Sequence, residues 1–398
     1  MARYDHLLSD ARAMHDDVVA MRRRIHAHPE LGLQLPVTQG VILEWLAQLP
    51  VSVSLGTALS SVTAVLDTGV VGPTVLLRGD MDALPMHEDT GLDYASEIPM
   101  TMHACGHDSH VAMLAGAAKV LCARRDELVG KVAFMFQPGE EGHHGARFML
   151  DEGMLATTGP VDLAFAIHQS PNFPSGTVAT RAGTLLASVD DFVIKIVGKG
   201  GHASMPHHAL DPIPIACEIV LAIQTMVTRR LDVFDPGVVT VGRVSAGTTS
   251  NVIPEFAEIE GTMRSVSART RKTLQEQIVQ VANGVAAAHG AHADVHVEIG
   301  FPVTVNDAAS SSYIQEVARE LLGHAAVFDL DSPIMGAEDF SYVLEQVPGA
   351  MAFLGTRPPG VAPSDVAPNH SNRMLLDEDA LDVGVAMYAA VASARCQK

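Results

Sequence analysis

Between His103 and His110 the chain places three histidines and a cysteine, His103, Cys105, His107 and His110, with Gly106 at the centre. A lone cysteine is usually buried and inert, and a lone histidine is more often a satisfied structural residue than a ligand. Four such donors within eight residues point instead to a divalent metal. A Cys-x-His spacing around a glycine lets a tight turn aim a thiolate and an imidazole at one point. Asp108, next in line, is expected to orient a ligating imidazole.

Further donors stand where apolar runs end. Thr74 to Leu77 leads into Arg78-Gly79-Asp80-Met81-Asp82, Val132 to Phe136 into Gln137-Pro138-Gly139-Glu140-Glu141, and Val161 to Ile167 into His168. In open α/β sheets, ligands bind beyond the carboxyl ends of strands. Asp, Glu and His at three such ends are the donors a divalent ion requires. Neighbouring residues of extended backbone point in opposite directions, so one carboxylate of the Glu140–Glu141 pair could hold a metal while the other faces a reacting water. The plainer alternative, two exposed glutamates in a turn, stays open at this point.

The elements that must position these groups are read from apolar periodicity. Leu7 to His28 and Thr38 to Leu49 read as amphipathic helices, and His107 to Arg125 and Ala146 to Asp151 as further helices. Continuous apolar strands alternating with helices predict an α/β unit whose sheet is mostly parallel and covered on both faces. Near Leu186 the pattern changes. Strand Asp191 to Val197, helix Pro212 to Arg230, strands Val238 to Val244 and Glu255 to Met263, helix Ala268 to His289 and strand Asp294 to Ile299 form a smaller α+β unit. The expected organisation is a discontinuous domain of residues 1–186 and 303–398 interrupted by an inserted domain of residues 187–302.

At 398 residues and 47% apolar composition the chain can build a large core. Its formal net charge of -20 repels phosphate backbones, so nucleic acid is not expected as a partner. The start, Met1-Ala2-Arg3-Tyr4-Asp5-His6, lacks the apolar segment of a signal peptide, and the apolar run Val111 to Ala123 is too short to span a bilayer. Cys105, Cys122, Cys217 and Cys396 lie far apart and suggest no disulfide framework. These features predict a cytoplasmic protein without membrane association. Arg78-Gly79-Asp80 spells an adhesion tripeptide but closes a buried strand, and Gly198-Lys199-Gly200-Gly201 lacks the spacing of a phosphate loop. Neither is retained.

Taken in order, the motifs become familiar. Gly79-Asp80-Met81-Asp82-Ala83-Leu84-Pro85, His103-Ala104-Cys105-Gly106-His107-Asp108 and Gln137-Pro138-Gly139-Glu140-Glu141 resemble the hippurate hydrolase and N-acyl-amino-acid amidohydrolase group of metallopeptidases. Relatives in that group include aminoacylases and plant hydrolases of auxin–amino acid conjugates. The likeness continues through Gly198 to Ala203, Gly247 to Pro254, Gly261 to Arg264, Gly336 to Ser341 and His370-Ser371. It implies an α/β catalytic domain with an inserted α+β dimerisation lid, and a homodimer or higher homo-oligomer. It also implies two divalent ions, Zn, Mn, Ni or Co, held by Cys105, His107, Glu141, His168 and His370, with Cys105 bridging. His370 rests on the resemblance alone.

By the same resemblance Glu140 is the general base, Asp82 an acid that steers a ligand, and His202 a group reaching a partner subunit's site. Asn251 and Arg264 are implied to hold the substrate carboxylate. Two departures stand out: Ser109 where glycine is expected, and Gln169 after His168 where many relatives are apolar. The implied reaction is hydrolysis of the amide bond of N-acyl amino acids, hippurate-like or acetyl, by a metal-activated water. A dipeptidase or carboxypeptidase with the same metals, a non-catalytic metal-binding scaffold, and a thiol redox protein centred on Cys105 are the competing readings.

Overall fold

The computed structural model describes residues 3–398, and Met1 and Ala2 lie outside the described residues. The chain divides into two units: Met1–Leu185 with Val305–Ser332 and Asp339–Lys398, and Leu186–Thr304 with Pro333–Glu338.

The first unit is built on an eight-stranded sheet. Its order is Ser52–Leu55, Val62–Asp67, Lys131–Gln137, Thr74–Asp80, Leu163–Pro174, Gly349–Arg357, Val178–Thr180 and Val327–Asp329. The four central strands, Lys131–Gln137 to Gly349–Arg357, run parallel, while antiparallel pairings flank them, so the sheet is mixed. Every residue of Thr74–Asp80 is buried, as both faces of the sheet centre are covered. Helix His107–Ala123 is buried nearly all round and packs with helix Leu381–Cys396. That explains why its apolar pattern shows no polar face.

Three elements differ from the sequence reading. The single helix expected from Leu7 to His28 is two helices, Asp5–Ala13 and His15–Ala27, broken at Met14 where φ is -115° and ψ is 13°. The strand expected to end at Ile167 continues to Pro174, because Phe353 to Arg357 pair with its second half. Strand Gly349–Arg357 was not legible: Gly-Ala-Met-Ala-Phe-Leu-Gly carries none of the β-branched residues that mark strands.

The second unit has a four-stranded antiparallel sheet ordered Gly237–Ala246, Phe256–Ser265, Ser188–Val197 and His292–Ile299. Along Ser188–Val197 burial alternates, sending Phe192, Ile194 and Ile196 into a core with Ile215, Ile219, Ile223, Leu274 and Ile278. Those partners come from helices Pro212–Arg230 and Ala268–Ala288, capped by the Asp211 and Ser267 side chains. Helix Pro212–Arg230 is long and apolar enough to cross a membrane by length and composition. Here its stripe of Ile215, Ile219, Ile223 and Met226 is buried in the core of this unit.

Candidate metal centre

Two donor triads share one atom. The ligand atoms of Cys105, His107 and His168 lie within 4.8 Å of one another, and so do those of Cys105, Glu141 and His370. The Cys105 sulfur is the common member of the two triads. All five residues expected from the resemblance as ligands are therefore brought together in the first unit.

The local backbone explains how. Gly106, at φ +81°, turns the chain into helix His107–Ala123 immediately after Cys105. His168 stands inside strand Leu163–Pro174 with its Nδ1 donating to the Gln169 carbonyl at 2.6 Å. This leaves the Nε2 lone pair 3.4 Å from the Cys105 sulfur. Burial, with His110 nearby, pushes the His168 pKa well down and keeps the ring neutral, as a ligand must be. His370 lies in a left-handed conformation, φ +67°, with Nε2 3.3 Å from Glu141 Oε1.

The adjacent glutamates reach the centre differently from the extended arrangement expected. They sit in a turn, closed by Gly142 N donating to Glu140 O at 2.7 Å, and both carboxylates approach His107 Nε2 at 3.9 Å. Asp82 holds that turn: its two oxygens accept from Glu140 N at 2.8 Å and Glu141 N at 2.9 Å. Asp82 Oδ1 also lies 3.5 Å from His107 Nδ1.

Whether the residues fit metal ions is tested by their unmet hydrogen-bonding capacity. Both ring nitrogens of His107 and Oε1 of Glu141 are buried without a hydrogen-bond partner. Such groups are rare and call for an occupant. The electrostatics agree. Burial opposes a charge on His107, but Asp80, Cys105 and Asp82 outweigh it and raise its pKa well above the usual value. Cys105 and Glu141 beside His370 raise the pKa of that histidine to about 10. Burial pushes the Cys105 thiol up, with Glu141 adding to it. The site thus gathers anionic donors whose charge is met here by protons that a cation would displace. The residues fit a pair of divalent ions.

Residues not singled out as ligands complete the surroundings. His110 is committed: its Nδ1 pairs with Asp80 Oδ1 at 2.5 Å and its Nε2 accepts from Gln169 N at 2.8 Å. Asp80 is also paired with Arg78, which with Gln137 and Asp339 forms a buried network. Asp108 does not orient a ligand as expected. Its Oδ2 accepts from Arg22 Nε at 2.9 Å and pairs with His26 Nδ1 at 2.8 Å. Burial pushes the His103 pKa down to about 4, and its ring is in none of the donor groups. The Asp-x-Asp spacing and the third histidine of the cluster were the signals for Asp80 and His110. Gln169 showed only as a departure from relatives, and Asp339 carried no signal of its own.

His202, Asn251 and Arg264 belong to the second unit. His202 is exposed and pairs with Val252 through two short strands, with Ala203 N donating to Asn251 O at 3.1 Å. Its Nδ1 accepts from Ser204 N at 3.1 Å, so the neutral ring carries its proton on Nε2. Asn251 Oδ1 accepts from Thr249 Oγ1 at 3.1 Å. Arg264 is half-buried on strand Phe256–Ser265 and donates to Met335 O at 3.0 Å.

Comparison with known proteins shows the family. Residues 76–394 match the model of Peptidase family M20/M25/M40. The chain is 38% identical over 390 residues to thermostable carboxypeptidase 1 of Saccharolobus solfataricus, covering 97% of each. It is 38% identical over 382 residues to N-acetylcysteine deacetylase of Bacillus subtilis, covering 96% of this chain and 97% of that one. A crystal structure of the Bacillus subtilis YXEP protein, a dinuclear metal-binding peptidase of the M20 family, is similar at a TM-score of 0.81 and 35% identity. That likeness covers 96% of this chain and 98% of that one.

Proposed function

The chain belongs to peptidase family M20/M25/M40, and from its site we propose a two-metal amidohydrolase that cleaves N-acyl amino acids to a carboxylic acid and a free amino acid. The observation that carries this reading is the Cys105 sulfur common to two donor triads, with Glu140 beside them. The similarity to an N-acetylcysteine deacetylase supports the acyl-amino-acid class.

In this reading His107 and His168 would hold one ion with Cys105, and Glu141 and His370 would hold the other with the same sulfur. Ions bound there would polarise the scissile carbonyl and lower the pKa of a water toward about 7. Glu140 takes the proton of the attacking water and returns it to the departing nitrogen. Asp82, gripping the backbone of Glu140 and Glu141, keeps base and ligand in register. His202, carrying its proton on Nε2, is a donor suited to a developing oxyanion. Arg264 and Asn251 hold the free carboxylate of a small-molecule substrate. The second unit serves as a dimerisation lid, and His202 acts in the site of a second copy.

The similarity to a carboxypeptidase supports a second reading, in which the acyl group is itself an amino acid or peptide. A panel of hippurate, acetyl amino acids and dipeptides, assayed with Zn, Mn, Ni and Co, separates the two. Faster turnover of the acyl amino acids is expected, and faster turnover of dipeptides would favour the peptidase.

A further inference from the structure

The fully buried Gln169 stands where an apolar residue would satisfy the same space without any hydrogen-bonding demand. Instead, every part of it is engaged. Its Oε1 accepts from Thr356 Oγ1 at 2.7 Å, which fixes the orientation of the amide. The amide nitrogen then donates to Cys105 O at 2.8 Å and to Asn369 Oδ1 at 2.8 Å. Asn369 answers with its own amide, donating to Gln169 O at 3.4 Å. The two hydrogens of one side chain therefore tie the Cys105 loop to the loop that carries His370.

The main chain of Gln169 has a different task. Its N–H goes to His110 and its carbonyl receives His168 Nδ1–H. A substitution at residue 169 leaves those bonds in place while removing the side-chain ties. The backbone serves His168 and accepts one long bond from Asn369, while the side chain makes the shorter ties to Cys105 and the His370 loop.

The second triad is also the one in need of a tether. His370 adopts φ +67°, unfavourable for a residue with a Cβ, and its side chain is 56% exposed. One tie on the Cys105 side is His370 N donating to Ala104 O at 2.9 Å; the Gln169–Asn369 amide pair is another. Gly106 makes room for this arrangement, since a Cβ there would stand 2.5 Å from Gln169 Nε2.

We infer that Gln169 is a positioning residue for the metal pair: its side chain ties Cys105, the member both triads share, to the loop of His370, so the Cys105–Glu141–His370 triad depends on it more than the Cys105–His107–His168 triad does. This rests on the two-metal reading above.

The test is calorimetric and optical titration of metal-free protein with Co(II). Wild type should take up two ions per chain and develop thiolate-to-cobalt charge transfer. In Gln169→Leu, affinity for the first ion should stay within about threefold and that for the second fall by at least about tenfold, the scale seen when a ligand's supporting hydrogen bond is lost. Turnover at limiting metal should drop, and excess Co(II) should restore it with KM unchanged, which general misfolding would not allow. Asn369→Ala, on a half-buried loop, breaks the same tie without touching the strand and should reproduce the split. In the double variant the losses should not add. Equal weakening of both ions, or of neither, in both single variants overturns the inference. Failure of wild type to bind two ions would instead remove the two-metal reading beneath it.

Discussion

The two units present their functional groups in opposite ways. In the first, Glu140, His107 and Cys105 are buried, and the backbone and side chains around them are fixed by Asp82, Gly106 and Gln169. In the second, His202 and Asn251 are exposed on two short strands and a turn, and Arg264 is half-buried. Buried, desolvated groups are suited to holding ions and moving protons, because charge interactions there are strong and geometry is held. Exposed groups are suited to meeting a substrate or a second chain. In the proposed function this difference puts metal binding and proton transfer in the first unit and contact with the substrate in the second, and it can be broken at either end.

The largest effect belongs to the buried side. Glu140→Gln should lower turnover by about 10²- to 10⁴-fold with metal content near normal. Glu141→Gln should lose metal first, as read by metal analysis of the purified variants. If metal loss followed Glu140 instead, base and ligand would be reversed.

The recognition side should respond more mildly. Replacing the substrate carboxylate by a carboxamide should lower kcat/KM by roughly ten- to a hundredfold, the cost of leaving one charged group unpaired. Arg264 is half-buried and already donates to Met335 O, so solvent moderates that loss. Arg264→Ala should narrow the gap chiefly by slowing the acid substrate. Equal rates on acid and carboxamide in wild type would detach Arg264 from substrate binding.

A smaller signal tests whether the units of two chains cooperate. Mixed Glu140→Gln and His202→Ala proteins, after subunit exchange, should recover about a quarter of wild-type activity, because half the dimers contain one intact site. No recovery despite demonstrated exchange would place His202 in the site of its own chain.

The smallest expected effect concerns the scaffold behind the metal loop. Burial opposes the His26 charge, but Asp108 and Glu88 outweigh it and raise the pKa from 6.5 to about 9. A folded-state pKa above the ordinary value contributes stability that is fully present below pH 6.5 and lost as pH rises through about 9. His26→Gln should therefore melt a few degrees below wild type under acidic conditions, with the gap closing above pH 9. A gap that is constant with pH would mean that His26 contributes packing and no charge.

How much of this was legible in the sequence depends on how local each signal is. Cys105 and His107 announce themselves because they share one loop. Glu140 and Glu141 were legible as a pair with a turn as the open alternative, but their burial and anchoring were not, since these depend on Asp82 from another strand end. His370 has no local signature and came from family resemblance alone. The sheet was legible where strands are β-branched and invisible at Gly349–Arg357, whose small residues fit because neighbours crowd them. Gln169 read as a departure in the sequence, and only its hydrogen bonds reveal a tether.

The central claim is that two ions sharing Cys105 are required for amide hydrolysis. It is tested most directly by assaying hydrolysis of an N-acyl amino acid with chelated, metal-free protein while Zn, Mn, Ni or Co is added back stepwise. The account predicts no turnover without metal and recovery that completes at two ions per chain. Full turnover by the metal-free protein would contradict it.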